Sequence, residues 1–194
     1  MGNRPGLIVP AVVLLASVAA SAAEPERPSL TLELGKPIAA GEPWHAGSLS
    51  GNVCLDLPFS PHLATVFAVG TVRGVTEDVE HDTVEIDSAY LVAGVRYTSD
   101  AADGARIYVL GAVGALRARS RDEFTYGDSR TVTDDSAIGA TAQLAAGVIV
   151  AIPRSRFAIG GELSFLAPST SAPGGLGGRV PGQLLLTAGA RITL

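Results

Sequence analysis

From Gln183 to Leu194 (QLLLTAGARITL) the chain alternates in steps of two. One set of positions is Leu184, Leu186, Ala188, Ala190, Ile192 and Leu194; the other is Leu185, Thr187, Gly189, Arg191 and Thr193. Successive side chains of a strand point to opposite faces, so the pattern predicts a β-strand with one apolar and one mostly small or polar face. An unpaired strand of this kind is an aggregation hazard. Closing the sheet into a barrel removes the edge, and an apolar face turned outward then needs lipid as its solvent.

Seven further segments carry a strand pattern. Ser29 to Gly35 sets Leu30, Leu32 and Leu34 against Thr31 and Glu33, and Ser48 to Leu57 sets Leu49, Val53, Leu55 and Leu57 against Ser50, Asn52, Cys54 and Asp56. Leu63 to Arg73 and Arg106 to Ala118 are apolar on both faces, which leaves their facing open. Ala89 to Tyr97, reaching back as far as Thr83, turns Leu91, Val95 and Tyr97 outward and Tyr90, Val92 and Arg96 inward. Ile138 to Ile152 places Leu144, Val148 and Val150 opposite Thr141 and Gln143; the seventh strand turns Phe157, Ile159, Leu163 and Phe165 outward and Glu162 and Ser164 inward.

The connections alternate in length. Pro58 to Pro61, Asp100 to Gly104 and Pro153 to Ser155 are short turns, with proline stopping the pairing in two of them. The other connections are long, polar or rich in Gly and Pro, as in Ser169 to Gly182, which reads as an external loop. An even-stranded barrel with both termini in the periplasm shows that asymmetry. Ten residues at about 3.3 Å each, tilted about 45°, cover about 23 Å, close to the roughly 25 Å apolar band of such barrels. Phe157 and Tyr97 fall at the turn end and Phe165 at the loop end, where rings form interfacial girdles; Trp44 falls in the first long loop.

Composition narrows the class. Residues 1–23 read as a cleavable signal peptide, with Arg4, an apolar run from Leu7 to Ala20 and small residues Ala20, Ser21 and Ala22; residues 24–194 form the barrel domain. Hydrophobic residues make up 47% of the chain, yet beyond that segment no apolar run approaches the ~18 residues of a spanning helix. A net charge of −5 with 14 Lys+Arg provides no basic stripe for nucleic acid. The single cysteine, Cys54, reads as a small buried residue.

The two strands flanking the Pro58 to Pro61 turn, LVAGVRYTS (Leu91 to Ser99), RIYVLGAVGALRAR (Arg106 to Arg119) and the terminal LTAGARITL resemble the outer-membrane β-barrel domain family, which includes OmpA-like and OmpX-like barrels. The resemblance implies an all-β, eight-stranded antiparallel up-and-down transmembrane β-barrel in the outer membrane of a Gram-negative cell. It further implies export through the periplasm, insertion by the barrel-assembly machinery, contact with outer-membrane lipid and lipopolysaccharide, a monomeric state and no cofactor. Family members usually end in an aromatic residue where this chain has Leu194, and Ile192 and Leu194 keep the apolar spacing.

An eight-stranded barrel is just wide enough for side chains to fill its interior. The inward charges Glu33, Asp56, Arg96, Glu162 and Arg191 are therefore expected to pair in a structural lumen network, with Glu162 and Arg191 as neighbours. Arg117, Arg119 and Arg121, just before the loop that follows the fifth strand, are candidates for lipopolysaccharide phosphates, with Arg117 and Arg119 the leading pair. The acids Glu77, Asp78, Glu80, Asp82, Glu85 and Asp87, with His81, read as a solvated loop without an ordered calcium spacing. His45, His62 and His81 are too scattered for a metal site.

Three functions compete. A non-enzymatic barrel serving envelope integrity or surface interaction fits best. A transport or binding barrel like the OmpW-like proteins needs an apolar or open lumen; Ile149, Leu166 and Leu185 point inward. A lipid A-modifying enzyme needs a nucleophile beside a base, for which His45 and Ser48 come closest. The architectural rival, a soluble lipocalin-like barrel, would reverse the faces.

Overall fold

The computed structural model describes residues 27–39, 44–45, 48–79, 82–99, 105–126, 129–169 and 182–194. The expected signal peptide, the Asp100 to Gly104 turn, Glu80, His81 and most of the Ser169 to Gly182 loop lie outside them. Eight strands form the wall: β1 Ser29–Ala39, β2 Leu49–Pro58, β3 Leu63–Val79, β4 Asp82–Thr98, β5 Ala105–Tyr126, β6 Ser129–Ala151, β7 Phe157–Pro168 and β8 Gln183–Thr193. Each pairs antiparallel with its sequence neighbours, and β8 returns to β1 from Ser29↔Thr193 to Ala39↔Gln183. The barrel is closed. The terminal strand has no free edge because every residue of β1 faces one of β8.

Burial alternates along the strands as the hydrophobic pattern requires, and it settles the two strands that sequence could not orient. On β3, Val66, Ala68 and Val72 are buried while Phe67 and Val69 are exposed; on β5, Tyr108, Leu110, Ala112 and Leu116 are buried while Ile107, Val109 and Val113 are exposed. Leu91, Val113, Ile138 and Leu144 leave between 61% and 76% of their surface open, on the outside. In water each such side chain would forgo about 1.5–3 kcal/mol of burial. A continuous outer ring of them is stable against acyl chains.

Strands β3, β5 and β6 run well beyond their expected ends, whereas β4 begins at Asp82, one residue before the Thr83 limit expected for it. The acids expected in a loop after the third strand lie on a paired hairpin, from Val72↔Ser88 and Val75↔Ile86 to Val79↔Asp82. The long loop expected after the fifth strand is likewise a ladder reaching Tyr126↔Ser129. Past the apolar band the outward face turns polar while Val75, Val84, Ile86 and Ser120 stay buried inside, so the outward hydrophobic signal ends although the backbone ladder continues. A bulge at Arg73 and Gly74 permits the extension: Gly74 takes φ 68° and donates its N–H to Asp87 Oδ1 at 2.9 Å. The bulge keeps Val75 facing the lumen like Val72 before it. Trp44 and His45 are not in a free loop either; they pair with Glu77 and Thr76 of β3.

Candidate functional site

The lumen has two halves. Toward the loop end it is mainly apolar, packed with Val72, Val75, Ile86, Leu116, Leu166 and Leu185, with Ser88, Ser120 and Gln183 buried among them. The side-chain-filled polar lumen expected from the inward charges is thus polar chiefly toward the turn end. Gln183 Nε2 donates to Ser88 Oγ at 3.3 Å, joining β8 to β4 on the opposite side of the ring. This side-chain bond spans the ring among buried apolar neighbours.

Toward the turn end the charges gather. Asp56 and Arg96 are fully buried, and Arg96 Nη1 donates to Asp56 Oδ2 at 2.5 Å. Arg191 Nη2 approaches the same oxygen at 3.4 Å, and Arg191 Nε donates to Ser29 Oγ at 2.7 Å. Ser29 Oγ in turn donates to Asp56 Oδ2 at 3.3 Å. One carboxylate thus collects two guanidiniums and a hydroxyl.

Glu162 belongs to a different arm. Tyr108 donates its hydroxyl to Glu162 Oε2 at 2.8 Å, and the Arg96 guanidinium lies 4.4 Å from the Tyr108 ring centre. Glu33 accepts from Thr187 Oγ1 at 3.3 Å. The five residues expected to face inward therefore do, but Glu162 and Arg191 are not neighbours. Glu162 stands opposite Thr187 and Arg191 opposite Ala158, four residues along the strand. Adjacent strands alone do not make a contact when the side chains sit at different heights. Glu33, Arg96, Tyr108 and Arg191 line a cavity of about 10 Å³, room for about one water.

Tyr108 is the member that sequence reading missed, because β5 could not be oriented. The signal available was its cross-strand partner. Tyr108 lies opposite Gly147, where a Cβ would run into the ring, and Tyr90 lies over Gly70 in the same way. Two glycines on the lumen face make room for two tyrosines.

Solved structures of known proteins place this architecture. Neisserial surface protein A superposes with a TM-score of 0.59 at 10% identity, over 89% of this chain and 100% of that one. A major outer membrane protein from Thermus thermophilus gives 0.59 at 11%, over 86% and 99%. Ail, the attachment invasion locus protein of Yersinia pestis, gives 0.53 at 14%, over 86% and 99%. This is the fold of the small eight-stranded outer-membrane β-barrels. By sequence, no family model and no curated protein matches the chain.

On the outside of this barrel the apolar band ends abruptly on β5. Val113 and Ala115 face outward, and the next outward positions are Arg117, Arg119 and Arg121, all exposed. Arg117 sits between Ala89 and Ile138, Arg119 between Asp87 and Ser136, and Arg121 between Glu85 and Asp134. Arg119 Nη2 pairs with Asp134 Oδ2 at 3.2 Å, both well exposed. Glu85, Asp87, Arg119, Arg121 and Asp134 line a polar cleft of about 240 Å³. The arginines are thus residues of a paired strand, not the approach to a loop. Among the described residues no three His, Cys, Asp or Glu side chains converge as metal ligands. The Ser48 hydroxyl lies 3.4 Å from the Arg73 carbonyl oxygen, to which it donates.

Proposed function

We propose that this barrel is a non-enzymatic outer-membrane protein that contributes to envelope integrity and meets its surroundings through the loop-end wall. The carrying observation is the sharp change from Ala115 to Arg117 on one outward face. Guanidiniums standing one rung above the acyl chains lie at the level of lipid headgroups, and in the outer leaflet these are the phosphates of lipopolysaccharide. Arginine matches phosphate with paired donors. Arg117 has only Ala89 and Ile138 as cross-strand partners, which leaves its charge for a ligand. Arg119 shares its charge with Asp134, so its contact with a phosphate should be the weaker of the two.

The filled lumen supports a structural role over transport. Export through the periplasm, insertion by the barrel-assembly machinery acting on β8, and a monomeric state complete the reading. The test is lipopolysaccharide retention by the purified barrel after Arg117→Ala with Arg119→Ala. A clear loss is expected; unchanged retention removes the lipopolysaccharide contact and leaves only the barrel.

A further inference from the structure

Arg154 is the one non-glycine residue at positive φ among the described residues, at φ 60°. It occupies the turn between β6 and β7, where Ser155 N–H donates to Ile152 O at 3.2 Å. That bond makes Ile152–Pro153–Arg154–Ser155 a β-turn with proline second and arginine third. Positive φ at the third position is the place of glycine or asparagine, and a long side chain is strained there. Ser155 reinforces the turn: its hydroxyl donates to Ile152 O at 2.9 Å and accepts the Phe157 N–H at 3.1 Å. Strain held by its surroundings is a reason to ask what the side chain is for.

Two more arginines occupy the same sector of the rim. Thr193 N–H donates to Arg156 O at 2.9 Å, and Leu194 N–H donates to Pro28 O at 2.8 Å, which brings Arg156 and Arg27 to the end of β8. Arg27, Arg154 and Arg156 are all exposed. The side-chain carboxylates described toward this end, Glu33, Asp56 and Glu162, are buried in the lumen, and Asp56 is held by Arg96 and Arg191. Just above the three arginines the outward side chains are Ile152, Phe157 and Ile192, with Phe157 opposite Ile192. The charges therefore stand directly beyond the edge of the apolar band.

We propose that this sector binds the anionic headgroups of phospholipids in the periplasmic leaflet, with the strained Arg154 and its neighbours Arg27 and Arg156 holding the phosphodiester. The turn end carries the opposite rim from the Arg117 ladder, so the proposal shares the membrane orientation of the proposed function but none of its residues. Each arginine near an anionic surface is worth about a fivefold change in retention.

The test uses native mass spectrometry of the barrel in a neutral detergent, with phosphatidylglycerol or phosphatidylcholine of identical acyl chains. Phosphatidylglycerol should be retained in preference, and Arg27→Gln, Arg154→Asn and Arg156→Gln should each cut the preference about fivefold. Arg117→Gln with Arg119→Gln and Arg121→Gln should leave it intact, which separates this site from the lipopolysaccharide reading. Equal retention of the two lipids overturns the proposal. So does a preference that equimolar inorganic phosphate abolishes, which would mark a free-anion site. Because asparagine is at ease at φ 60°, Arg154→Asn should unfold no more easily than the parent. A lowered unfolding temperature would mean that the arginine serves the fold, and the proposal would fall.

Discussion

Replacing Arg96 by Met removes the closer of the two guanidiniums on Asp56. Both residues of that pair are almost wholly buried, at 2% and 0% exposure. Taking away one member of a buried pair costs about 3–5 kcal/mol, because the other charge is left in a poor dielectric. Here Arg191 and Ser29 stay near the carboxylate at 3.4 and 3.3 Å, so the low end, about 3 kcal/mol, is expected. Arg191→Met should cost about 1 kcal/mol, since its contact is longer and its side chain is partly open to solvent. In an Asp56→Asn background the Arg96→Met penalty should shrink by about 2 kcal/mol, the coupling expected of residues in direct contact. Urea unfolding of the barrel in lipid vesicles, followed by the folded band on an unheated detergent gel, measures all four. Equal costs for Arg96→Met and Arg191→Met, or strict additivity of Arg96→Met with Asp56→Asn, would refute the view that Asp56 is held chiefly by Arg96.

Leu144 sits at the middle of the outward face of β6, between Gly111 and Phe165; Leu144→Arg should destabilise the barrel in vesicles by about 2–4 kcal/mol, and a neutral result would mean the face does not meet lipid. Gly147→Ala drives a methyl into the Tyr108 ring, for an overpacking cost of about 1–3 kcal/mol. Tyr108→Leu should abolish most of that cost, and an equal penalty in both backgrounds would argue that backbone freedom, not the ring, requires the glycine.

Fold class and facing were legible wherever a strand had one apolar and one polar side. β8 is the clearest case: alternation named its outward set, and the structure exposes Leu186 and buries Leu185 and Thr187 accordingly. β3 and β5 were not legible, because an outward face meeting lipid and an inward face filling the upper lumen are both apolar. Val66 and Phe67 differ in environment, not in hydrophobicity. The ends of β3, β5 and β6 were hidden for the converse reason: Glu77, Arg121 and Asp134 look like loop residues because polarity reports solvent, not backbone pairing.

The five lumen charges show where sequence stops. Their residue types and strand parity placed Glu33, Asp56, Arg96, Glu162 and Arg191 inside, but parity says nothing of height around a tilted ring. Only the closed register decided that Arg96 and Arg191 both reach Asp56, that Glu162 turns to Tyr108, and that Arg119 meets Asp134. Hydrophobic spacing is a local property, fixed by the period of a strand. Which side chains meet depends on the stagger that closes the barrel, and that is set by all eight strands together.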